Sequence, residues 1–299
     1  MMHRMKKVLV IGASGLVGSR FVELAKNKID IIPVDEKTLD ITNRDAVEVF
    51  FKENKFDSVL NFAAITNVDG AEKERDNKSG FTWKLNVIGP QNLAIACKEN
   101  GRFLVQISTD FVFTGNKEDP GPYSEDHPIP QNNNGIGWYG WTKNRAEKAI
   151  QNSRVRNSIV RIAYPFYSTK FDLKLDFAKN YLKLFDDGKL FPIFKDQTIT
   201  PIYVDDLVEP LVKILDDEIE GTFHLVSRDV TTPFDFVEYL LKKNRNVEGV
   251  VKEGSMSEFL KAKGRTPRPR LGGLKTKITQ QKLGMKFKTW REMIDEFSK

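Results

Sequence analysis

The chain is 299 residues long, with 40% hydrophobic and 29% charged residues, enough for one large core or two smaller ones. Its formal net charge of +6 is spread along the sequence, which favours anionic ligands only loosely, and no nucleic-acid-binding motif accompanies it. A single cysteine excludes an internal disulfide, and no run approaches the ~20 apolar residues of a membrane-spanning helix, so a soluble cytoplasmic protein is expected.

From the N-terminus, "KKVLVIG" (Lys6–Gly12) reads as a short buried strand; its apolar run is too brief for a secretion signal and leads into glycines. A helix is expected over Leu16–Asn27, then a strand, "IDIIPVD", ending at Asp35. A second helix, Arg44–Glu53, precedes the strand "FDSVLNFAA"; a third, Trp83–Glu99, precedes "FLVQIS"; a helix carrying Lys143 precedes "NSIVRIA". Cys97, in the apolar "NLAIAC", belongs on the buried face of the third helix. Strands alternating with helices predict an α/β fold with a doubly wound parallel sheet, the Rossmann arrangement.

After Tyr164 the alternation loosens into a helical segment, "KLDFAKNYLKLFDDG", and short strand-like pieces such as "GTFHLV". "TPIYVDDLVEPLVKIL" reads as a strand end and a helix returning to the first unit. The predicted organisation is a dinucleotide-binding domain over 1–163, rejoined by 198–226, with a smaller mixed α/β substrate-binding part built from 164–197 and 227–299. "PIPQNNNGIG" (Pro128–Gly137) is an exposed loop entering the helix of Lys143.

"GASGLVG" places Gly12, Gly15 and Gly18 between a strand and a helix. Gly12 permits the turn, Gly15 lets backbone approach a pyrophosphate, and Gly18 lets helix pack on strand, while Ser14, Leu16 and Val17 present the free N–H groups of the helix start. Asp35 ends the second strand, where a carboxylate accepts hydrogen bonds from an adenine ribose. That favours NADH over NADPH, but Lys37 offers a compensating charge and leaves the preference open. "WYGWTK" sets Tyr139 four residues before Lys143, on one helix face. A phenol beside an ammonium suits proton delivery to a carbonyl oxygen that receives hydride, the ammonium lowering the phenol's pKa. His3, His127 and His224 lie apart in sequence and support no metal site.

The GxxGxxG spacing, with "LDITNRDAVEVF", "DSVLNFAAITNVDGAEKE", "LNVIGPQNLA", "ISTDFVFTG", "PYSEDHPIPQN", "YGWTKNRAE", "DQTITPIYVDDL" and "TWREMIDEF", resembles the dTDP-4-dehydrorhamnose reductase family of extended short-chain dehydrogenase/reductases along nearly the whole chain. The resemblance implies an NAD(P)H-dependent reductase of a nucleotide-activated 4-keto-6-deoxy sugar, serving surface polysaccharide synthesis, and suggests a homodimer. It implies that Thr109, Tyr139 and Lys143 are catalytic, with Ser108 competing for the hydroxyl role, and that Lys143 also holds the nicotinamide ribose. It places Asp40 and Ile41 near the adenine, and Ala63, Ala64, Ile65, Thr66 and Asn86 along the cofactor. Asp110 and Tyr164 fall at substrate positions. Arg268, in "GRTPRPRLGG", suits a nucleotide diphosphate or a solvated basic loop.

Three features depart from the family: Tyr164 replaces its usual tryptophan, Phe111 its usual tyrosine, and "NNNGIG" lengthens the entry loop. Two other functions share the pattern, an NAD-retaining epimerase or dehydratase and a non-catalytic regulatory subunit resembling that of methionine adenosyltransferase; the intact Tyr–Lys pair argues against the second.

Overall fold

The structure, a computed structural model, describes residues 5–169, 171 and 174–299; His3 lies outside them. The chain runs β1 (Lys7–Ile11), α1 (Leu16–Ala25), β2 (Asp30–Val34), α2 (Arg44–Glu53), β3 (Ser58–Asn61), α3 (Val68–Glu72), α4 (Phe81–Trp83), a π turn (Lys84–Ile88), α5 (Gly89–Glu99), β4 (Phe103–Thr109) and α6 (Trp138–Ser153). It continues through β5 (Asn157–Ile162), β6 (Pro165–Phe166), α7 (Phe177–Asp186), β7 (Ile193–Phe194), β8 (Ile202–Tyr203), α8 (Val208–Asp217) and β9 (Gly221–His224). Last come α9 (Pro233–Arg245), β10 (Glu253–Gly254), α10 (Met256–Lys261), α11 (Lys277–Leu283) and α12 (Trp290–Phe297). None of the described helices is long and apolar enough to cross a membrane.

Six strands form one parallel sheet in the order β2-β1-β3-β4-β5-β9. β3 and β4 are buried at every position because both faces are covered, which is why they read as continuous apolar runs rather than alternating ones. Alternate residues go to opposite faces: Val8, Val10, Leu60 and Val105 meet Phe21 and Ala25 of α1, while Leu9, Ile11, Val59 and Leu104 meet Val47 and Phe51 of α2 and Leu93 and Cys97 of α5. Cys97 is fully buried, as expected. Among the described residues β2 pairs with β1 alone, and an edge strand tolerates Pro33.

The sheet's connections reverse direction between β1 and β3, which opens a crevice beyond their C-terminal ends, the ligand site of doubly wound sheets. The segment after Tyr164 adds two short parallel pairs, β6 with β8 and β7 with β10, while α8 and β9 return to the main sheet. The predicted third helix is broken: its first turn starts at Phe81 and passes through the π turn before α5. α3, α9, α10, α11 and α12 are not among the helices expected from the sequence. α3 is too short for periodicity, but α9 has Thr232 as N-cap with proline in its first turn, and α12 carries a full capping box, Thr289 with Glu292.

Candidate active site

The turn after β1 must be glycine on geometric grounds. Gly12 has φ +76°, and a Cβ there would lie 2.7 Å from the Ala63 nitrogen; a Cβ on Gly18 would lie 2.2 Å from the Gly12 carbonyl oxygen. α1 therefore starts hard against the turn, with Gly15 as an N-cap that offers no side-chain cap. Its N–H groups and positive dipole end are left for an anion. Two cavities meet at Gly12, Gly15, Phe62 and Ala64, one of about 390 Å³ toward Asp35 and one of about 440 Å³ toward Tyr139. Glycine cradle, uncapped helix and continuous groove fit a dinucleotide.

The first cavity is lined by Ser14, Asp35, Glu36, Asp40, Ile41, Ala63 and Phe81, among others. Asp35 Oδ1 accepts from the Lys37 and Thr38 backbone N–H groups and from the Thr38 hydroxyl, which hold its carboxyl below the usual range, the Thr38 hydroxyl most of all. Lys37 does not line the cavity, whose charged lining residues are all carboxylates. Phe81, 60% exposed, also lines this cavity and is not among the residues expected from the sequence; a solvent-facing aromatic is the only signal for it.

Two expected cofactor residues stand behind the cavity wall. Ile65 donates its N–H to Asn86 Oδ1 and accepts from Asn86 Nδ2, which also donates to the Thr142 hydroxyl. Asn86 is fully buried and neither residue lines either cavity directly; the bonds between them hold the loop that presents Ala64 and Thr66.

The second cavity gathers Leu16, Val17, Gly18, Thr66, Thr109, Asp110, Tyr139, Lys143, Tyr164 and Arg268. Tyr139 and Lys143 project from the same face of α6, whose close approach to the turn after β4 requires Gly140: a Cβ there would lie 2.0 Å from the Phe111 carbonyl oxygen. Lys143 Nζ donates to the Ile107 carbonyl at 2.7 Å, and Thr109 Oγ1 donates to Asp110 Oδ1 at 3.1 Å. Ser108, the competing hydroxyl, also lines the cavity but donates to Glu147 at 2.5 Å.

Burial governs the electrostatics. It pushes the Tyr139 phenol well above its ordinary value, opposed by the Thr109 hydroxyl and assisted by Asp110. The expected lowering by Lys143 is not seen: burial dominates, because taking a phenolate out of water is costly, and the Thr109 hydroxyl is the group that opposes it. Burial lowers Lys143 to about 8, with Glu147 pulling it back up, and raises Asp110 to about 7 against the Thr109 hydrogen bond.

Toward the substrate side, Tyr164 adopts φ +45°, an uncommon backbone for an aromatic residue, and packs between Phe111 and Phe177 at 6.3 and 5.0 Å between ring centroids. Gln197, missed in the sequence, donates to both the Tyr164 hydroxyl and the Pro269 carbonyl, each at 3.1 Å, joining the aromatic wall to the proline-arginine strap. Arg268 lines the cavity while its guanidinium donates to Asp69 of α3 at 2.6 Å. Lys174 reaches the Thr66 hydroxyl at 3.3 Å, so two cations border the mouth. The long entry loop docks on the turn after α3: Asn133 donates to Asp76, and Arg75 donates to the Ile136 carbonyl.

A family model described as the RmlD substrate binding domain matches residues 5–299. The chain is 27% identical over 294 residues to a spore coat polysaccharide biosynthesis protein of Bacillus subtilis, covering 98% of this chain and 97% of that one. It is 32% identical to the dTDP-4-dehydrorhamnose reductase of Mycobacterium tuberculosis over 170 residues, 56% of this chain and about half (52%) of that protein. The solved dTDP-4-dehydrorhamnose reductase of Bacillus anthracis, in complex with NADP, superposes with a TM-score of 0.84 at 28% identity, over 98% of each chain.

Proposed function

Since the chain belongs to the RmlD substrate binding domain family, we propose that it is an NAD(P)H-dependent oxidoreductase that reduces the 4-keto group of a nucleotide-activated 6-deoxy sugar for polysaccharide synthesis. The observation that carries the reading is the convergence of Thr109, Tyr139 and Lys143 on one cavity continuous with the glycine cradle. A nicotinamide dinucleotide, when bound, supplies the hydride.

The protein's residues handle the proton and the charge. Negative charge grows on the carbonyl oxygen as its carbon gains hydride. The Thr109 hydroxyl donates to that oxygen, and Tyr139, kept protonated by burial, transfers its hydroxyl proton there. Lys143, an ammonium below about pH 8, offsets the phenolate left behind. Phe111, Phe177 and Tyr164 wall off water from the sugar. Arg268 and Lys174 face the anionic diphosphate.

The test is the absorbance of NADH or NADPH mixed with protein and dTDP-4-keto-6-deoxy-L-lyxo-hexose. Substrate-dependent decay is expected; a cofactor that binds without being consumed overturns the reductase reading. One observation favours a second reading: an acid near neutrality, Asp110, beside Thr109 suits an epimerase or dehydratase, which converts sugar with no net loss of reduced cofactor.

A further inference from the structure

Behind the cavity lies a chain of buried polar groups that the reaction as described does not use. Glu147 stands one turn beyond Lys143 on α6 and is 0% exposed. Its Oε1 accepts from the Ser108 hydroxyl at 2.5 Å and from Arg161 Nε at 3.1 Å, and its Oε2 accepts from Arg161 Nη2 at 2.7 Å. Arg161, on β5, lies over the Phe113 ring and meets His224 Nε2 of β9 at 3.1 Å. His224 Nδ1 meets the Lys275 carbonyl at 2.7 Å, so the imidazole is neutral, with its proton on Nδ1.

A buried ion pair is a costly way to pack a core, since apolar residues of similar volume serve stability as well or better. Its position gives it a different value. Ser108 precedes Thr109, and the Ile107 carbonyl that receives Lys143 precedes Ser108, so a single carboxylate ties the end of β4 to the helix carrying Tyr139 and Lys143. We propose that Glu147, held by Arg161, is a positioning residue that fixes the Thr109 end of β4 against α6 and acts as the buried counter-charge of Lys143. The charged and titratable groups around Lys143 are Tyr139 and Glu147 on α6, Asp110 after β4, Arg161 and His224 on β5 and β9, and Asp176, Lys174 and Arg268 at the cavity wall. Of these, Glu147 is the one that pulls the lysine upward against burial.

The inference rests on the proposed Tyr–Lys chemistry, so its test has a readout independent of turnover. Competitive acetylation with acetic anhydride, followed peptide by peptide by mass spectrometry across pH, measures the ionisation of Lys143, because only the free amine reacts. Glu147→Gln alone strands the Arg161 charge and is liable to unfold, so the decisive protein is the double variant Glu147→Gln/Arg161→Met, with Glu147→Asp as rescue. We expect the wild-type midpoint near 8 to fall by about one unit in the folded double variant, and to return most of the way in Glu147→Asp. The alkaline limb of kcat should move with it, with about fivefold loss of kcat at pH 8 and little change in the KM for cofactor. An unmoved labelling midpoint in the folded double variant overturns the proposal. A shifted midpoint in a protein that reduces no keto sugar leaves it standing and removes the reductase reading instead.

Discussion

Replacing Asp110 by Asn should change how stability depends on pH, and the size follows from burial. The carboxyl is 1% exposed and ionises at about 7 in the fold, against 3.8 in a solvated chain. Three units at ~1.4 kcal/mol each amount to roughly 4 kcal/mol. Because the folded value is raised, the favourable contribution is complete below pH 4 and is lost as pH climbs through 7. His224 works in the opposite sense: burial, then Arg161, depress it from 6.5 to about 3, so its contribution is complete above 6.5 and is lost as pH falls. Between about pH 4 and 6.5 the two slopes nearly cancel in the native protein. Urea unfolding of wild type and Asp110→Asn at intervals from pH 5 to 8 separates them. The variant's advantage should grow from about 1–2 kcal/mol at pH 5 to about 4 at pH 8, a steepening that exposes the His224 slope below pH 6.5. A difference that stays constant over that range would refute the assignment of a near-neutral carboxyl.

Other expectations are simpler to check. Tyr139→Phe should keep cofactor affinity, measured by quenching of protein fluorescence, while turnover falls by roughly 10²-fold or more, since only the transferable proton is removed. The three carboxylates at the adenosine end, Asp35, Glu36 and Asp40, should make NADH the better cofactor by roughly tenfold in kcat/KM, since ~1–2 kcal/mol of repulsion meets a 2′-phosphate; Asp35→Ser should narrow that ratio, and an unchanged ratio would discount the carboxylate. Gly18→Ala should abolish dinucleotide binding and lower the thermal midpoint by several degrees, because its Cβ would sit 2.2 Å from the Gly12 carbonyl oxygen.

What could be read from the sequence was whatever is local. The glycine turn, the strand feeding it and the Tyr139–Lys143 pair each lie within a few residues of one another, so periodicity and spacing expose them. Asp69, the partner of Arg268, is 199 residues away from it, and Gln197 reaches Tyr164 from a segment 33 residues on. Those contacts exist only after the sheet has brought the segments together, and no local pattern encodes them. Asn86 is held in the same way, its side chain bonded to Ile65 and Thr142, 21 and 56 residues away. Nothing local marks Glu147 out, because its partners Ser108 and Arg161 sit on separate strands. α9 and α12 were legible in principle through their caps, a signal weaker than apolar periodicity but present.

The sixth strand has a consequence for how the chain emerges from a ribosome. β5 ends at Ile162, yet the neighbour that covers its free edge, β9, begins only at Gly221. At 5–20 residues per second the nascent protein spends on the order of 3–12 s displaying the open side of β5, a ready template for a neighbouring chain. Arg161, carried on that strand, also waits for His224 through the same interval. Crowded translation of this message therefore places the demand for chaperone cover in the middle of synthesis.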